Sequence, residues 1–189
     1  MVETTHRKVT WDDFKGKAKT PGSARWDDGS WAHLTSAMVI ESTRIVPRQA
    51  EDGSWIAELS RSPQVYAVMD KDMSGAAPGA NSPELLAHEQ LHFDITEAFA
   101  RRLTIQIASL VGQGSTAPSA VEDLQQKLQS RYDAQARELL AYQNSYDSET
   151  RHGIRRKAQK KWSQKVGELF ANATAELEQA RAEGVSSDS

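Results

Sequence analysis

At the centre of this sequence lies the stretch LLAHEQLHFDITE, residues 85–97, which contains two histidines four residues apart and a glutamate directly after the first. On a helix, four residues make about 400° of rotation, so His88 and His92 project from one face, about one turn apart. One metal ion can take a nitrogen from each ring, while the carboxylate of Glu89 lies beside the metal. Zinc held in this way lowers the pKa of a bound water to roughly 7, and a nearby carboxylate takes the proton as the water attacks a carbonyl.

The residues before this stretch favour the helix that the motif requires. Ser82 can cap a helix, Pro83 suits its first position, and Glu84 complements the positive end of the helix dipole. The alternative interpretation is an ordinary amphipathic helix with two surface histidines. The helical flanks favour metal binding, because H-E-x-x-H holds zinc only when both histidines share one helical face.

Length and composition are typical of one globular domain. The chain has 189 residues, of which 38% are hydrophobic and 26% are charged. Its net charge of −3 argues against a nucleic-acid-binding protein, which would be basic. No apolar run approaches the roughly 18 residues that span a membrane. The chain has no cysteine, so any metal must be bound by His, Asp or Glu.

The first residues leave two compartments open. The segment MVETTHRK lacks the apolar core of a signal peptide. The protein is therefore expected in the cytoplasm if Met1 is native, and in the periplasm or outside the cell if an export signal was removed. Nothing in the sequence indicates an oligomeric state.

The N-terminal part, residues 1–80, is predicted to form mainly strands and loops. β-Branched and alternating apolar side chains predict strands over residues 36–46, 55–59 and 64–69. The turn sequence Glu51-Asp-Gly-Ser54 predicts a hairpin between the first two strands. Residues 72–82 are rich in Gly, Ala, Ser and Pro, which indicates a loop.

The C-terminal part, residues 83–183, is predicted to form three long helices. The first runs from Pro83 to about Val111, the second starts at the capping box Ser119-Ala-Val-Glu122, and the third begins near Ile154. Residues 184–189 are expected to form a disordered tail. The predicted fold is thus a single α+β domain over residues 1–183. A small antiparallel sheet packs on the three helices in a zincin-like arrangement, with the metal site at their interface.

A catalytic zinc needs a third protein ligand and an open position for water. Glu97 lies about 180° around the helix from His88, so it cannot complete the site. The stretch SYDSETRHG, residues 145–153, is predicted to join the last two helices and is dense in donors. If those helices pack antiparallel, the stretch returns beside the motif helix. Its best candidate ligands are Glu149 and His152.

The same junction offers further roles. Whichever of Glu149 and His152 does not bind metal could stabilise the developing oxyanion, as could Tyr146. The alternative interpretation is a loop that only joins two helices, with Asp147 and Glu149 capping the next one.

Three blocks of the chain resemble a bacterial family classified as domain of unknown function 922. The blocks are Trp11–Gly16, His88–Glu97 with Ala100-Arg101, and Tyr146–Gly153 followed by Gln159 and Trp162. Members of the family are described as predicted zinc-dependent proteases, and they often carry export signals. The resemblance extends over about residues 9–170, and it implies that the histidine block and the junction block belong to one site.

The junction is also similar to the D-x-x-Y-G element of aspzincin metallopeptidases, in which an acidic residue is the third ligand. By that analogy Glu149 would bind the metal and His152 would polarise the carbonyl. Zinc takes imidazole readily, which favours His152 as the ligand instead. Both residues are therefore kept as metal-site candidates.

Two other classes of protein are compatible with these motifs. Glu89 with His92 and Glu149 with His152 are both E-x-x-H pairs, as found in di-iron or di-manganese helical bundles. Only three long helices are predicted, however, and no further pair of inward glutamates is evident. The other class is a binding module in which zinc only joins the helices, which would require a closed four-ligand site.

The sequence therefore predicts a zinc metallopeptidase that hydrolyses a peptide or protein substrate. Glu89 is the predicted general base, and His88 and His92 are predicted ligands, with His152 or Glu149 as the third. The strand near Val65–Met69 is expected to hold an extended peptide by edge pairing.

Overall fold

The computed structural model describes residues 7–16 and 31–186, which form one short 3₁₀ helix, five strands and three long helices. In chain order these elements are the 3₁₀ helix (Trp11–Asp13), β1 (Ala32–Ile40), β2 (Ile45–Gln49), β3 (Trp55–Leu59), β4 (Val65–Ala76), α1 (Pro83–Ala108), β5 (Gly112–Gly114), α2 (Ala117–Thr150) and α3 (Arg156–Ser186). The predicted α+β class, with small antiparallel pairing and three helices, is confirmed. Within the described residues, no helix combines the length and the apolar character needed to cross a bilayer.

The strands form two small antiparallel sheets where one was predicted. One sheet pairs β1 with β4, and the other has the order β2-β3-β5. The predicted strand over residues 36–46 is divided, because the chain leaves β1 after Ile40 and re-enters pairing at Ile45 in the other sheet. The predicted hairpin turn joins β2 to β3. Its Gly53 has φ +85, and its Asp52 side chain accepts from the Ser54 backbone N–H.

A bulge interrupts the pairing of β1 with β4. His33 pairs with Gly75 but Thr35 pairs with Asp70, so β4 carries extra residues at this point. Ser74 is fully buried and accepts a hydrogen bond from the Thr35 backbone N–H at 2.9 Å. β4 therefore continues to Ala76, into the segment predicted to be a loop. Bulges of this kind re-aim the strand beside them.

Four ends of the helices differ from prediction. Ser82 caps α1 as predicted, but the helix ends at Ala108, and Gly112–Gly114 then pairs with β3 as β5. The capping box of α2 consists of Thr116 and Ser119, so this helix begins earlier than predicted.

The C-terminal boundaries also move. Helix α2 continues to Thr150, which makes most of the predicted junction helical. Helix α3 continues to Ser186 rather than ending at residue 183, and residues 187–189 lie outside the described residues.

Helix α1 is the central element of the main core. It packs against β1 and β4 on one side and against α2 and α3 on the other. Its buried side chains Ile95, Phe99 and Leu103 join residues of both helices and both strands in one apolar cluster. Because α1 is enclosed in this way, the polar residues His88 and Glu89 are also removed from solvent, each with only 1% of its surface exposed.

Candidate metal centre

Three side chains from two helices converge on one point. Asp147 Oδ1 lies 3.1 Å from His88 Nε2 and 2.9 Å from His92 Nε2. Among the described residues, these three form the group of possible ligands whose donor atoms all lie within 4.8 Å of one another. The two histidines are one turn apart on α1, and Asp147 is in the last turn of α2, which packs against α1.

Two glutamines define which ring nitrogen of each histidine carries a proton. Gln143 Nε2 donates to the backbone carbonyl of His92 at 3.0 Å, so its Oε1 faces His92 Nδ1 and accepts from it. Gln159 Nε2 donates to the Tyr146 hydroxyl at 2.7 Å, and its Oε1 accepts from His88 Nδ1 at 3.1 Å. Both Nδ1 atoms are therefore protonated, which leaves both Nε2 atoms available to bind a metal.

The donor atoms fit a zinc ion. Ligands placed about 2.0 Å from a tetrahedral zinc are about 3.3 Å apart, close to the two nitrogen–oxygen distances measured here. Without a cation, Asp147 would need a proton from each Nε2, which would make two neighbouring imidazolium rings. Their ring centroids are 4.9 Å apart, so these like charges would repel in a buried site. One divalent cation between neutral rings and the carboxylate supplies the same charge.

The electrostatics of the site favour positive charge at this point. Burial opposes ionisation of Asp147, but hydrogen bonds to His88 and His92 outweigh burial and lower the pKa of the carboxyl. Burial also disfavours the charged form of His92, yet the hydrogen bond to Asp147 and the charge of Glu89 raise its pKa. Both shifts describe the metal-free state, in which protonated rings lie against an ionised Asp147; a metal cation bound there would take the place of those ring protons.

Glu89 has the environment expected of a general base. Its carboxylate is buried, and burial raises its pKa, although the neighbouring histidines lower it in part. Its Oε2 is a buried oxygen without a hydrogen-bond partner. An unpartnered carboxylate oxygen beside a metal site is available to accept a proton from a water or a substrate.

A cleft of ≈ 360 Å³ opens over these residues. One wall is β1, from Ala32 to Met38, and the other comes from α2 between Tyr132 and Asp147. His88, Glu89 and His92 are also part of the lining, so a molecule in the cleft reaches the candidate metal-binding atoms.

Glu149 does not reach the site. Its Oε2 accepts a hydrogen bond from Trp162 Nε1 at 2.8 Å, on the side of α2 that faces α3. The prediction of Glu149 as third ligand is therefore corrected. Residues two apart on a helix project from different faces, and it is Asp147 that faces the histidines.

His152 lies beside the site without joining the group of three. Its Nδ1 is 3.4 Å from Asp147 Oδ1, and its side chain lines the cleft. His152 and Arg151 both have a left-handed backbone, with φ near +52 and +51. This conformation is uncommon for residues other than glycine, and here it occurs in two successive residues at the edge of the cleft. Asp147 thus lies in the position predicted for His152, and His152 lines the cleft beside it.

Tyr146 contacts both histidines of the motif, and its hydroxyl is not placed as the predicted oxyanion donor. It is fully buried, and its hydroxyl donates to the backbone carbonyl of His88 at 3.1 Å. Its ring stacks on His88 with centroids 4.7 Å apart. With its hydroxyl hydrogen bonded to the backbone, this side chain cannot donate to a substrate in the cleft.

Sequence reasoning missed Asp147 as a candidate ligand because it placed the residue in a loop. One signal was available: Gln143 and Asp147 are four residues apart, the same spacing as His88 and His92. Extended through this segment, α2 presents Gln143 and Asp147 on one face, opposite the histidine face of α1.

The comparisons with known proteins bear on the family alone. Residues 80–153 match the model of a family described as bacterial protein of unknown function (DUF922), which confirms the predicted resemblance over this stretch. The matched stretch contains His88, Glu89, His92, Asp147 and His152. Comparison with curated proteins and with solved structures gave no match.

Proposed function

We propose that this protein is a zinc-dependent peptidase. The observation that carries the proposal is the convergence of His88 Nε2, His92 Nε2 and Asp147 Oδ1, with both rings oriented by glutamines, beside the buried carboxylate of Glu89. Three protein ligands with an open side toward a cleft are typical of catalytic zinc sites, whereas structural sites are closed by four.

The residues divide the work of hydrolysis. A zinc ion bound by the three side chains would acidify a water and polarise the carbonyl of a substrate. Glu89 Oε2 accepts a proton from the attacking water and returns it to the nitrogen of the leaving amine. His152, on the cleft side of Asp147, donates a hydrogen bond to the carbonyl oxygen as negative charge develops there. Gln143 and Gln159 hold the two ligand rings in place.

The shape of the cleft supports an extended peptide as the substrate. All seven consecutive residues from Ala32 to Met38 line it, whereas a strand that presented one face would contribute only alternate residues. The edge of β1 therefore borders the cleft, and among the described strands β1 pairs only with β4. An unpaired edge can add a peptide strand through backbone hydrogen bonds.

This arrangement replaces the predicted edge, Val65–Met69, which lies in β4 on the far side of β1. One backbone acceptor of β1 in the cleft is already occupied. The Tyr132 hydroxyl donates to the backbone carbonyl of Met38 at 2.9 Å, which removes that acceptor from a substrate.

The di-metal alternative loses its main support in this geometry. Its second E-x-x-H pair needs the Glu149 carboxylate in the site, and that carboxylate instead binds the Trp162 indole. A zinc-joined binding module would need a fourth protein ligand, and the described residues supply three within reach.

Changing Glu89→Gln tests the proposed mechanism. Zinc-loaded protein and variant are compared on a quenched-fluorescence peptide library, with zinc content measured in parallel. We expect hydrolysis to fall by roughly 10²–10⁴-fold while zinc stays bound, because the amide cannot accept the proton. The control is Glu138→Gln, an exposed glutamate on α2, which should leave hydrolysis unchanged. A wild-type protein that binds zinc but cleaves no member of the library would contradict the peptidase proposal.

A further inference from the structure

A second cavity, the Ile154 groove, adjoins the metal cleft. It has a volume of ≈ 600 Å³. Its apolar wall consists of Trp31, Pro78, Leu85 and Ile154, with Glu84 and Arg156 also part of the lining. The two charged residues have opposite signs, so the groove as a whole does not favour a ligand of either charge.

The groove and the metal cleft meet at one side chain. His152 lines both cavities, so a ligand in the groove lies directly beside a ligand in the cleft. The order of residues along two elements agrees with this arrangement. On α1, Leu85 lines the groove whereas His88 and His92 line the cleft. On the strand side, Trp31 lines the groove and Ala32–Met38 lines the cleft.

The wall of the groove is fixed to the metal centre. Gly153 has φ +80 and lies so close to His88 that an added Cβ would be 3.1 Å from the Cβ and Cγ of that residue. Two backbone hydrogen bonds close the turn around Gly153: Ile154 N–H donates to Arg151 O at 3.2 Å, and Arg155 N–H donates to Thr150 O at 2.8 Å. These bonds hold Ile154 in position relative to the metal ligand, so the groove exists before a ligand enters.

Ile154 is unusually open for a branched apolar residue, with 55% of its surface exposed. Ile154 forms part of the wall of a groove next to the candidate metal centre. A ligand side chain bound in the groove would cover its exposed surface. The apolar area removed from water would favour binding of that side chain.

Building on the proposed function, we propose that the Ile154 groove is the specificity subsite of the enzyme. It receives a large apolar side chain of the substrate peptide, next to the bond that is cleaved. The groove adjoins the peptide cleft at His152, and its wall of Trp31, Leu85 and Ile154 is apolar, so an apolar side chain of that peptide fits it. Discrimination by such a pocket is worth about 10–200-fold per side chain of different size.

Peptide binding to zinc-loaded Glu89→Gln protein tests the subsite without requiring turnover. Two fluorescein-labelled peptides of alternating Ala and Gly are compared by anisotropy, one of them with a single Ala replaced by Leu. We expect the Leu peptide to bind at least about 10-fold more tightly. Adding Ile154→Lys should abolish that difference, because it places a charge on the apolar wall. The control Val46→Lys alters an equally apolar residue, 43% exposed on β2 and outside both cavities, and should preserve it.

Equal affinity for the two peptides, or a Leu preference that survives Ile154→Lys, overturns the subsite. Absence of binding by either peptide overturns it as well. Hydrolysis by the wild-type protein is measured separately. If the protein cleaves peptides without preference for Leu, the subsite proposal fails and the proposed function stands.

Discussion

At the scale of single residues, Asp147 is the carboxylate on which the histidines of the candidate metal centre converge. One of its oxygens contacts three imidazole nitrogens, from His88, His92 and His152, at 2.9–3.4 Å. The two buried rings are each hydrogen bonded to a glutamine at the opposite nitrogen. These hydrogen bonds fix the tautomer of each candidate ligand, which the H-E-x-x-H motif alone does not specify.

Replacing Gln143→Leu should weaken zinc binding by about 10–100-fold, because His92 loses the acceptor that fixes its protonated nitrogen. The dissociation constant is measured by competition with a chromophoric chelator. The matched control is Gln164→Leu, which removes an exposed glutamine of α3 that bonds only Glu168 among the described contacts. Equal affinity of Gln143→Leu and wild type would show that the glutamine does not orient the ring.

The part of the site that lies within one helix was predictable from sequence. His88, Glu89 and His92 depend only on helical geometry, and Ser82 and Pro83 indicated the helix itself. The third candidate ligand was not predictable. Asp147 is 55 residues from His92 along the chain and reaches it only when α2 packs on α1. Glu149 and His152 have equally suitable chemistry, so only the direction of each side chain distinguishes them from Asp147.

At the scale of elements, the turn between α2 and α3 sets the position of both His152 and Ile154. Three consecutive residues, Arg151, His152 and Gly153, adopt positive φ. The middle one lines the cleft, and the last contacts His88. Strain in a side-chain-bearing residue at such a location persists because the surrounding hydrogen bonds hold it.

Gly153→Ala should destabilise the protein more than Gly53→Ala does. Both glycines have φ of +80 to +85, so each substitution costs about 1 kcal/mol from the backbone. Only Gly153 has a neighbour, His88, within 3.1 Å of the new Cβ, whereas Gly53 has nothing within 4 Å. Urea unfolding measures the free energies, and chelator competition should show weaker zinc binding for Gly153→Ala alone. Equal losses of unfolding free energy in the two variants would show that the contact with His88 does not contribute.

Elements with a local signal were easier to predict than elements made by pairing at a distance. The β2–β3 hairpin was indicated by its Asp-Gly turn, and α1 by its cap. The pairing of β5 with β3 was not, because Gly112–Gly114 has no strand propensity of its own. Its glycines are needed by packing: a Cβ on Gly112 would lie 2.1 Å from the Ala120 carbonyl oxygen of α2.

At the scale of the whole molecule, the N-terminal segment connects the strand bulge to the motif helix. Lys15 N–H and Gly16 N–H donate to Lys71 O and Ser74 O of β4, at 2.9 and 2.7 Å. Val9 N–H donates to the side chain of Gln90, within the H-E-x-x-H motif, at 2.6 Å. The block Trp11–Gly16 thus supports β4, and through β4 it supports the strand that borders the cleft.

Asp13 should make this connection sensitive to acid. Burial opposes its ionisation, but hydrogen bonds from Lys71 and Thr10 and the charge of Arg7 lower its pKa from 3.8 to about 2. Because the folded-state pKa is the lower one, Asp13 stabilises the fold above pH 3.8, and this contribution is lost as the pH falls toward 2. After allowance for the exposed Lys71 and Arg7 side chains, it is about 1 kcal/mol.

Asp13→Asn should therefore lower the free energy of unfolding by about 1 kcal/mol at pH 7 and by much less near pH 2.5. Urea titrations at both pH values measure the difference. The neighbouring Asp12→Asn serves as control, because Asp12 is exposed. A loss that does not change with pH would assign the effect of Asp13→Asn to something other than its charge.

Zinc titration of apo-protein, with affinity measured by chelator competition, tests the central claim most directly. We expect one zinc per wild-type chain. Loss of a contact that supports a ligand weakens metal binding by up to roughly 100-fold, and loss of a ligand should weaken it at least as much. Asp147→Asn should therefore bind zinc at least roughly 100-fold more weakly than the wild type. Glu149→Gln should bind zinc as the wild type does. A wild-type protein that binds no zinc, or an Asp147→Asn variant that binds it with unchanged affinity, would contradict the proposed metal centre.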